Sequence, residues 1–195
     1  YFLPSIKDWK KDYEAAKEDK KKKKTLSKDV TATTVEDEDA SKKAVRNVLN
    51  RRRHLILLAQ NQKGLNNLFA LISESFGPGN YYRYPRVDFE LLKKYSEGVI
   101  AASACLGGVY AGNYWENREQ GKEAVLEAMR DTTRKMVEIF GDRWYGELQW
   151  NNIPEQHELN QYIIQMRDEF GIELISTSDS HYPNPDAWKD RELYK

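Results

Sequence analysis

Residues 54–76 read HLILLAQNQKGLNNLFALISESF, an apolar run followed by a second, differently spaced apolar set. His54 to Ala59 predicts a buried strand, and Leu65, Leu68, Phe69, Leu71, Ile72 and Phe76 recur at helical spacing behind it. The same alternation continues downstream. Gly77-Pro78-Gly79-Asn80 ends the helix, and Asp88 is placed to cap a short helix through Leu91, Leu92 and Tyr95. A strand is expected at 98–102. Val125, Met129, Met136, Val137 and Phe140 then mark an amphipathic helix stopped by Gly141. After a third strand from Arg143 to Trp150, Pro154 opens a helix through Leu159, Ile163, Met166 and Phe170 that Gly171 ends, and Ile172 to Thr177 forms a fourth strand. Strands alternating with crossover helices predict an α/β fold whose four strands lie parallel in one curved sheet, either open and doubly wound or closed into a barrel.

Residues 1–53 have a different texture. After Tyr1-Phe2-Leu3-Pro4, which reads as the end of a strand, charge dominates, with lysines at 20–24 and acidic residues from Glu36 to Asp39. This stretch is expected to be an exposed, partly disordered insertion, with the globular part in 54–195. The lysines could touch DNA phosphates, but the neighbouring acidic cluster competes for them. The chain opens at Tyr1 without an initiating Met, which suggests a fragment.

Bulk properties exclude several classes. At 195 residues one core is expected, and 31 basic residues balance 31 acidic ones, so nothing in the overall charge demands nucleic acid. No apolar run approaches the roughly 20 residues of a membrane span. A single cysteine, Cys105, excludes an internal disulfide and points to a reducing, cytoplasmic setting. Neither a Gly-rich phosphate loop nor a GxSxG elbow occurs.

Candidate chemistry gathers where strands end, as in parallel α/β folds. Asp179 and His181, in Ser178-Asp179-Ser180-His181-Tyr182, follow the last strand two residues apart, so an extended segment turns both to one side. A carboxylate with an imidazole suits Zn, Mn or Fe better than Ca, while a capping Asp and an ordinary loop His is the bland reading. Cys105 follows the second strand; lone cysteines are usually buried and inert, and a Cys–His nucleophilic pair with His181 or His54 is the competing sharp reading. His54 precedes its strand, against the barrel rule, and is open between packing and ligation. His157, among Glu155, Gln156 and Glu158, reads as exposed and is excluded. Glu147 could line a site, though a structural role on a packed strand is favoured.

These segments resemble a known family. Arg53 to Asn61 followed by Gly64-Leu65-Asn66-Asn67-Leu68, Tyr84 to Asp88, Ser96 to Ile100, Ser103 to Gly108, Phe140 to Tyr145 with Glu147-Leu148-Gln149, and Ser178 to Tyr182 match in order and spacing. The family is the polymerase-and-histidinol-phosphatase (PHP) domain of bacterial-type, C-family DNA polymerase III alpha subunits. The resemblance, covering about 53–187, implies a partial distorted (β/α)7 barrel, a cleft holding divalent metals, and metal-dependent phosphoesterase or 3′–5′ exonuclease chemistry. It carries metal-ligand roles to His54, Cys105, Asp179 and His181. Zn, Mn or Fe would be the ions there, with Mg at a polymerase site outside this chain. The family's earlier ligands would lie upstream of Tyr1, so weak metal affinity and little hydrolysis are expected of the chain alone. Partners implied are DNA through the full polymerase, a proofreading exonuclease subunit and the sliding clamp, in a bacterial cytoplasm, with the gene bacterial or phage-borne. Two other functions remain: a metal-poor platform for a proofreading exonuclease, and a free-standing phosphatase of histidinol-phosphate type. The polymerase-like stretches at 84–108 and 140–156 argue against the last.

Overall fold

The computed structural model describes residues 1–29 and 35–194. Four strands, β1 (Ile56–Ala59), β2 (Val99–Ala102), β3 (Trp144–Gln149) and β4 (Glu173–Thr177), form one sheet in the order β1-β2-β3-β4. Helices α3 (Gln62–Ser75), α4 (Phe89–Tyr95), α5 (Val109–Asn117), α6 (Lys122–Phe140) and α7 (Pro154–Phe170) connect them, and α8 (Trp188–Tyr194) follows. The mixed α/β class is as expected. The four strands form an open sheet.

Strands β2, β3 and β4 run parallel, but β1 runs antiparallel to β2, with Ile56 opposite Ala102 and Ala59 opposite Val99. The all-parallel expectation therefore fails at β1. The reason lies in the segment between the two strands, which closes on itself. Gln60 N–H donates to Gly98 O at 2.8 Å and Asn67 Nδ2 donates to Glu97 O at 2.8 Å, so β2 starts beside the point where β1 ends and must run back along it. Glycine makes this closure possible: a Cβ on Gly64 would lie 1.8 Å from Gly98 O, and Gly98 itself has φ +69°.

β1 is also an edge strand rather than the buried strand its apolar run predicted. Leu55 and Leu57 pack on the core, whereas Ile56 and Leu58 are 41% and 55% exposed. The core lies on one face of the sheet, where Trp144 and Leu148 of β3 belong to one cluster with Met129, Met136 and Phe140 of α6 and Leu159, Ile163 and Met166 of α7. Because strand side chains alternate, Glu147 and Gln149 face the opposite way. Helix ends follow the sequence signals. Asp88 accepts from Leu91 N–H at 3.1 Å, Pro154 opens α7, and Gly171 closes it at φ +67°.

The charged N-terminal stretch, expected as a partly disordered insertion, contains two helices, α1 (Ile6–Asp29) and α2 (Val35–Asn50). Residues 30–34 of that expectation, and the side chains of Lys23, Lys24 and the acidic cluster Glu36 to Asp39, lie outside the described residues. Leu3, Ile6, Trp9 and Val48 make a second small core, and Trp9 Nε1 donates to Val48 O at 2.7 Å. Arg86 anchors it: fully buried, it stacks 4.0 Å over the Trp9 ring and donates to the carbonyls of Tyr82, Tyr84 and Leu49 at 2.7–2.9 Å. Charge on the exposed side thus hid an apolar seam that needs only a few residues per helix.

Candidate metal centre

The reversal of β1 decides where His54 lies. Its start lies beside the end of β2, so His54, which precedes β1, reaches the same end of the sheet as the residues that follow β2, β3 and β4. The apparent exception at His54 disappears once the strand direction is known. A backbone bond fixes it there, with His54 N–H donating to Gly107 O at 2.8 Å.

Tyr1, His54, Ile56, Cys105, Glu147, Gln149 and Asp179 line one cleft of about 320 Å³ at that end. Two pairs stand out. Cys105 Sγ lies 3.5 Å from His54 Nδ1, and His181 Nε2 lies 3.5 Å from Asp179 Oδ2. Two ligands at about 2.0–2.3 Å from one tetrahedral ion would sit roughly 3.5 Å apart, so each pair has the spacing of half a coordination shell. His181 stands beside Asp179 but is not among the lining residues, and its side chain is 58% exposed. Among the described residues no group of three or more His, Cys, Asp or Glu is already drawn together in metal-binding geometry.

The backbone is unusual where these side chains emerge. Only three non-glycine residues described have φ above zero, and two of them are Ala104, at 62°, and Asp179, at 50°. Both belong to the cleft, where the left-handed backbone costs about 1 kcal/mol or more and persists only under constraint. Burial pushes the Cys105 thiol above its ordinary value, and the Asp179 and Glu147 carboxylates push the same way; the Gly107 N–H, donated to Sγ at 3.5 Å, pulls it down. The Cys–His nucleophilic reading thus finds its distance but not an activated thiolate.

Behind the cleft runs a buried polar chain that the sequence reading missed. Gln156 Nε2 donates to Asn160 Oδ1 at 2.9 Å, Asn160 Nδ2 to Gln149 O at 2.7 Å, and Gln149 Nε2 to Glu147 Oε1 at 3.1 Å. Thr177 Oγ1 donates to the same Glu147 oxygen at 2.6 Å, and Ser103 Oγ accepts from Glu147 N–H at 2.9 Å. The available signal was the i, i+2 spacing of Glu147 and Gln149, which turns two polar side chains to one face of β3. Glu147 therefore both lines the cleft and ties β3 to β4. His157 is exposed on α7, away from the lining residues. Among the described residues no helix is long and apolar enough to cross a membrane.

Comparison with known proteins gives the chain its relatives. The family model for the PHP domain matches residues 8–151. The DNA polymerase III subunit alpha of Aquifex aeolicus is 44% identical over 133 residues, covering 68% of this chain and 11% of that protein. The corresponding subunit of Helicobacter pylori is 38% identical over 146 residues, covering 73% and 12%, and that of Thermus aquaticus 35% identical over 140 residues, covering 72% and 11%. The chain spans about a tenth of the length of these relatives.

Proposed function

The chain belongs to the PHP-domain family, and from that premise we propose that it is the metal-dependent phosphoesterase part of a replicative DNA polymerase III alpha subunit, removing nucleotides in the 3′–5′ direction. The observation that carries the reading is the convergence of ligand-type side chains from three separate strand ends on one cleft. His54 arrives before β1, Cys105 after β2 and Asp179 after β4, with His181 standing beside Asp179 outside the lining.

The donor set fits divalent ions. His54 and Cys105 would hold a borderline-soft ion such as Zn, and Asp179 with His181 one of Zn, Mn or Fe. When bound, such ions supply the positive charge that a phosphodiester needs as negative charge builds on its oxygens. The chain's own residues provide the rest. The Gly107 carbonyl holds the His54 backbone against the Cys105 turn, and the hydrogen bonds from Thr177 and Gln149 keep Glu147 turned into the cleft wall. Tyr1 and Ile56 give the wall an apolar side against which a sugar or base can rest.

The partial distorted (β/α)7 barrel implied by the family would extend the sheet past β1, whose edge and apolar Ile56 and Leu58 are open. DNA held by the whole polymerase, with Mg at its polymerase site, a proofreading exonuclease subunit and the sliding clamp are the partners this reading implies, in a bacterial cytoplasm. The test compares metal content and 3′–5′ hydrolysis of a single-stranded oligonucleotide by the full-length protein and its Asp179→Ala and His181→Ala variants. Each substitution should lower metal content and slow hydrolysis about 100-fold, the upper range for disturbing a metal site's surroundings. Equal metal and equal rates in all three would overturn the proposal. A metal-poor platform for a separate exonuclease would show no metal-dependent hydrolysis at all.

A further inference from the structure

We propose that Glu147 and Gln149 form a separate position for a hard divalent cation, Mg²⁺ or Mn²⁺, in the wall of the same cleft. The inference deepens the phosphoesterase reading of that cleft but rests on two residues that reading does not use as ligands.

Glu147 is only 6% exposed, yet among the described residues no cationic side chain pairs with it. Buried carboxylates are ordinarily paired or bound to metal, because an isolated one is costly to remove from water. One of its oxygens, Oε1, is occupied by the Gln149 and Thr177 donors. Gln149 is 1% exposed and lines the cleft beside it. Its amide orientation is not arbitrary. A carboxylate only accepts, so the Gln149 nitrogen must face Glu147, and that leaves the Gln149 Oε1 as the group without a partner. The wall therefore presents an unneutralised carboxylate next to an orphaned amide oxygen, both acceptors.

A single hydroxyl donor would satisfy one of these groups and leave the carboxylate's charge. A phosphate would be repelled by both. A cation satisfies both together. Carboxylate and carbonyl oxygens select hard ions, and Mg²⁺ and Mn²⁺ accept one or two protein oxygens while completing their shell with waters and substrate phosphate. The nitrogen and sulfur donors of His54 and Cys105, which line the same cleft, favour softer ions, so the two donor sets differ in kind.

The experiment titrates the chain with Mn²⁺, following free Mn²⁺ by electron paramagnetic resonance, and measures retained Zn²⁺ separately by elemental analysis. Wild type, Glu147→Gln, Gln149→Met and Cys105→Ser are compared, with near-ultraviolet circular dichroism confirming the fold of each. Glu147→Gln keeps shape and removes the charge; Gln149→Met keeps shape and removes the orphaned oxygen. With His181→Ala and Asp179→Ala as the common background, which takes Mn²⁺ held by that pair out of the titration, each should weaken Mn²⁺ binding about tenfold or more, whereas Cys105→Ser should lower Zn²⁺ retention. Should Glu147→Gln not fold, the Gln149→Met result decides. Undiminished Mn²⁺ binding in Glu147→Gln and Gln149→Met, or no Mn²⁺ binding once Asp179 and His181 alone are replaced, would each overturn the proposal. If the Mn²⁺ results hold while the full-length protein hydrolyses no DNA, it is the phosphoesterase reading that fails.

Discussion

The carboxylate of Asp88 joins the start of α1 to the start of α4. Its Oδ1 accepts from Leu91 N–H at 3.1 Å, capping α4, and its Oδ2 accepts from Ile6 N–H at 3.0 Å, at the first residue of α1. Asp88→Ala leaves two helix N-terminal amides without partners. The two lost caps cost about 1 kcal/mol each, and losing the negative charge adds about 0.3–1 kcal/mol in all, so a loss of about 2–3 kcal/mol is expected. With a urea slope of about 2 kcal/mol per molar, the unfolding midpoint should fall by roughly 1 M. Asp88→Asn keeps one carbonyl oxygen but turns an NH₂ toward the second amide, and it should lose about half as much. Urea unfolding followed by circular dichroism reads the magnitudes, and native-state hydrogen exchange should show faster exchange at both Ile6 and Leu91. If Asp88→Ala cost less than about 0.5 kcal/mol, or Asp88→Asn matched the parent, the shared cap would contribute nothing of this kind.

Trp9→Ala should cost about 3–5 kcal/mol locally, read as proteolytic cleavage within α1 and α2 while the segment after residue 54 resists; uniform susceptibility would contradict a separate small core. Gly64→Ala places a Cβ 1.8 Å from Gly98 O and should destabilise by about 3 kcal/mol in urea titrations, whereas a neutral effect would mean that the loop joining β1 to β2 yields freely. Arg130 grips Glu169 with two hydrogen bonds at 2.7 and 3.0 Å and pulls its carboxyl down to about 2. A folded pKa below the unfolded value of 4.5 gives stability that is present above 4.5 and lost as pH falls toward 2, so Glu169→Gln should flatten the pH dependence of the melting temperature in that window; an unchanged slope would contradict it.

Much of this was legible in the sequence because the signals were local. Asp88, Pro154, Gly141 and Gly171 mark helix ends through backbone chemistry that neighbours do not alter, and the apolar spacing on α6 and α7 gave Met129, Met136, Ile163 and Met166 to the core. The direction of β1 was not legible. It depends on Gln60, Asn67 and the pair Gly64 and Gly98 meeting across some thirty residues, and no periodicity encodes that closure. Strand-helix alternation predicts parallel pairing only when the connection ends where the strand began. The helices of the N-terminal stretch were hidden because Trp9, Ile6 and Val48 are few among many charges, and Arg86, their anchor, is distant in sequence. In and around the cleft, the residue types of His54, Cys105 and Asp179, with His181 beside it, are conspicuous in the sequence, while Gln149 and the Asn160 and Gln156 behind it are not. Amides are unremarkable in a sequence, and only burial reveals that their hydrogen bonds must be met by particular partners.

Whether side chains from separate strand ends gather to hold metal is tested most directly by anomalous X-ray diffraction at the zinc edge from crystals of the chain grown with Zn²⁺. An anomalous peak is expected in the cleft within about 2.0–2.3 Å of Cys105 Sγ and His54 Nδ1, absent from Cys105→Ser crystals treated alike. Zinc found only at surface carboxylates or at the exposed His157, with the cleft empty in the parent chain, would contradict it.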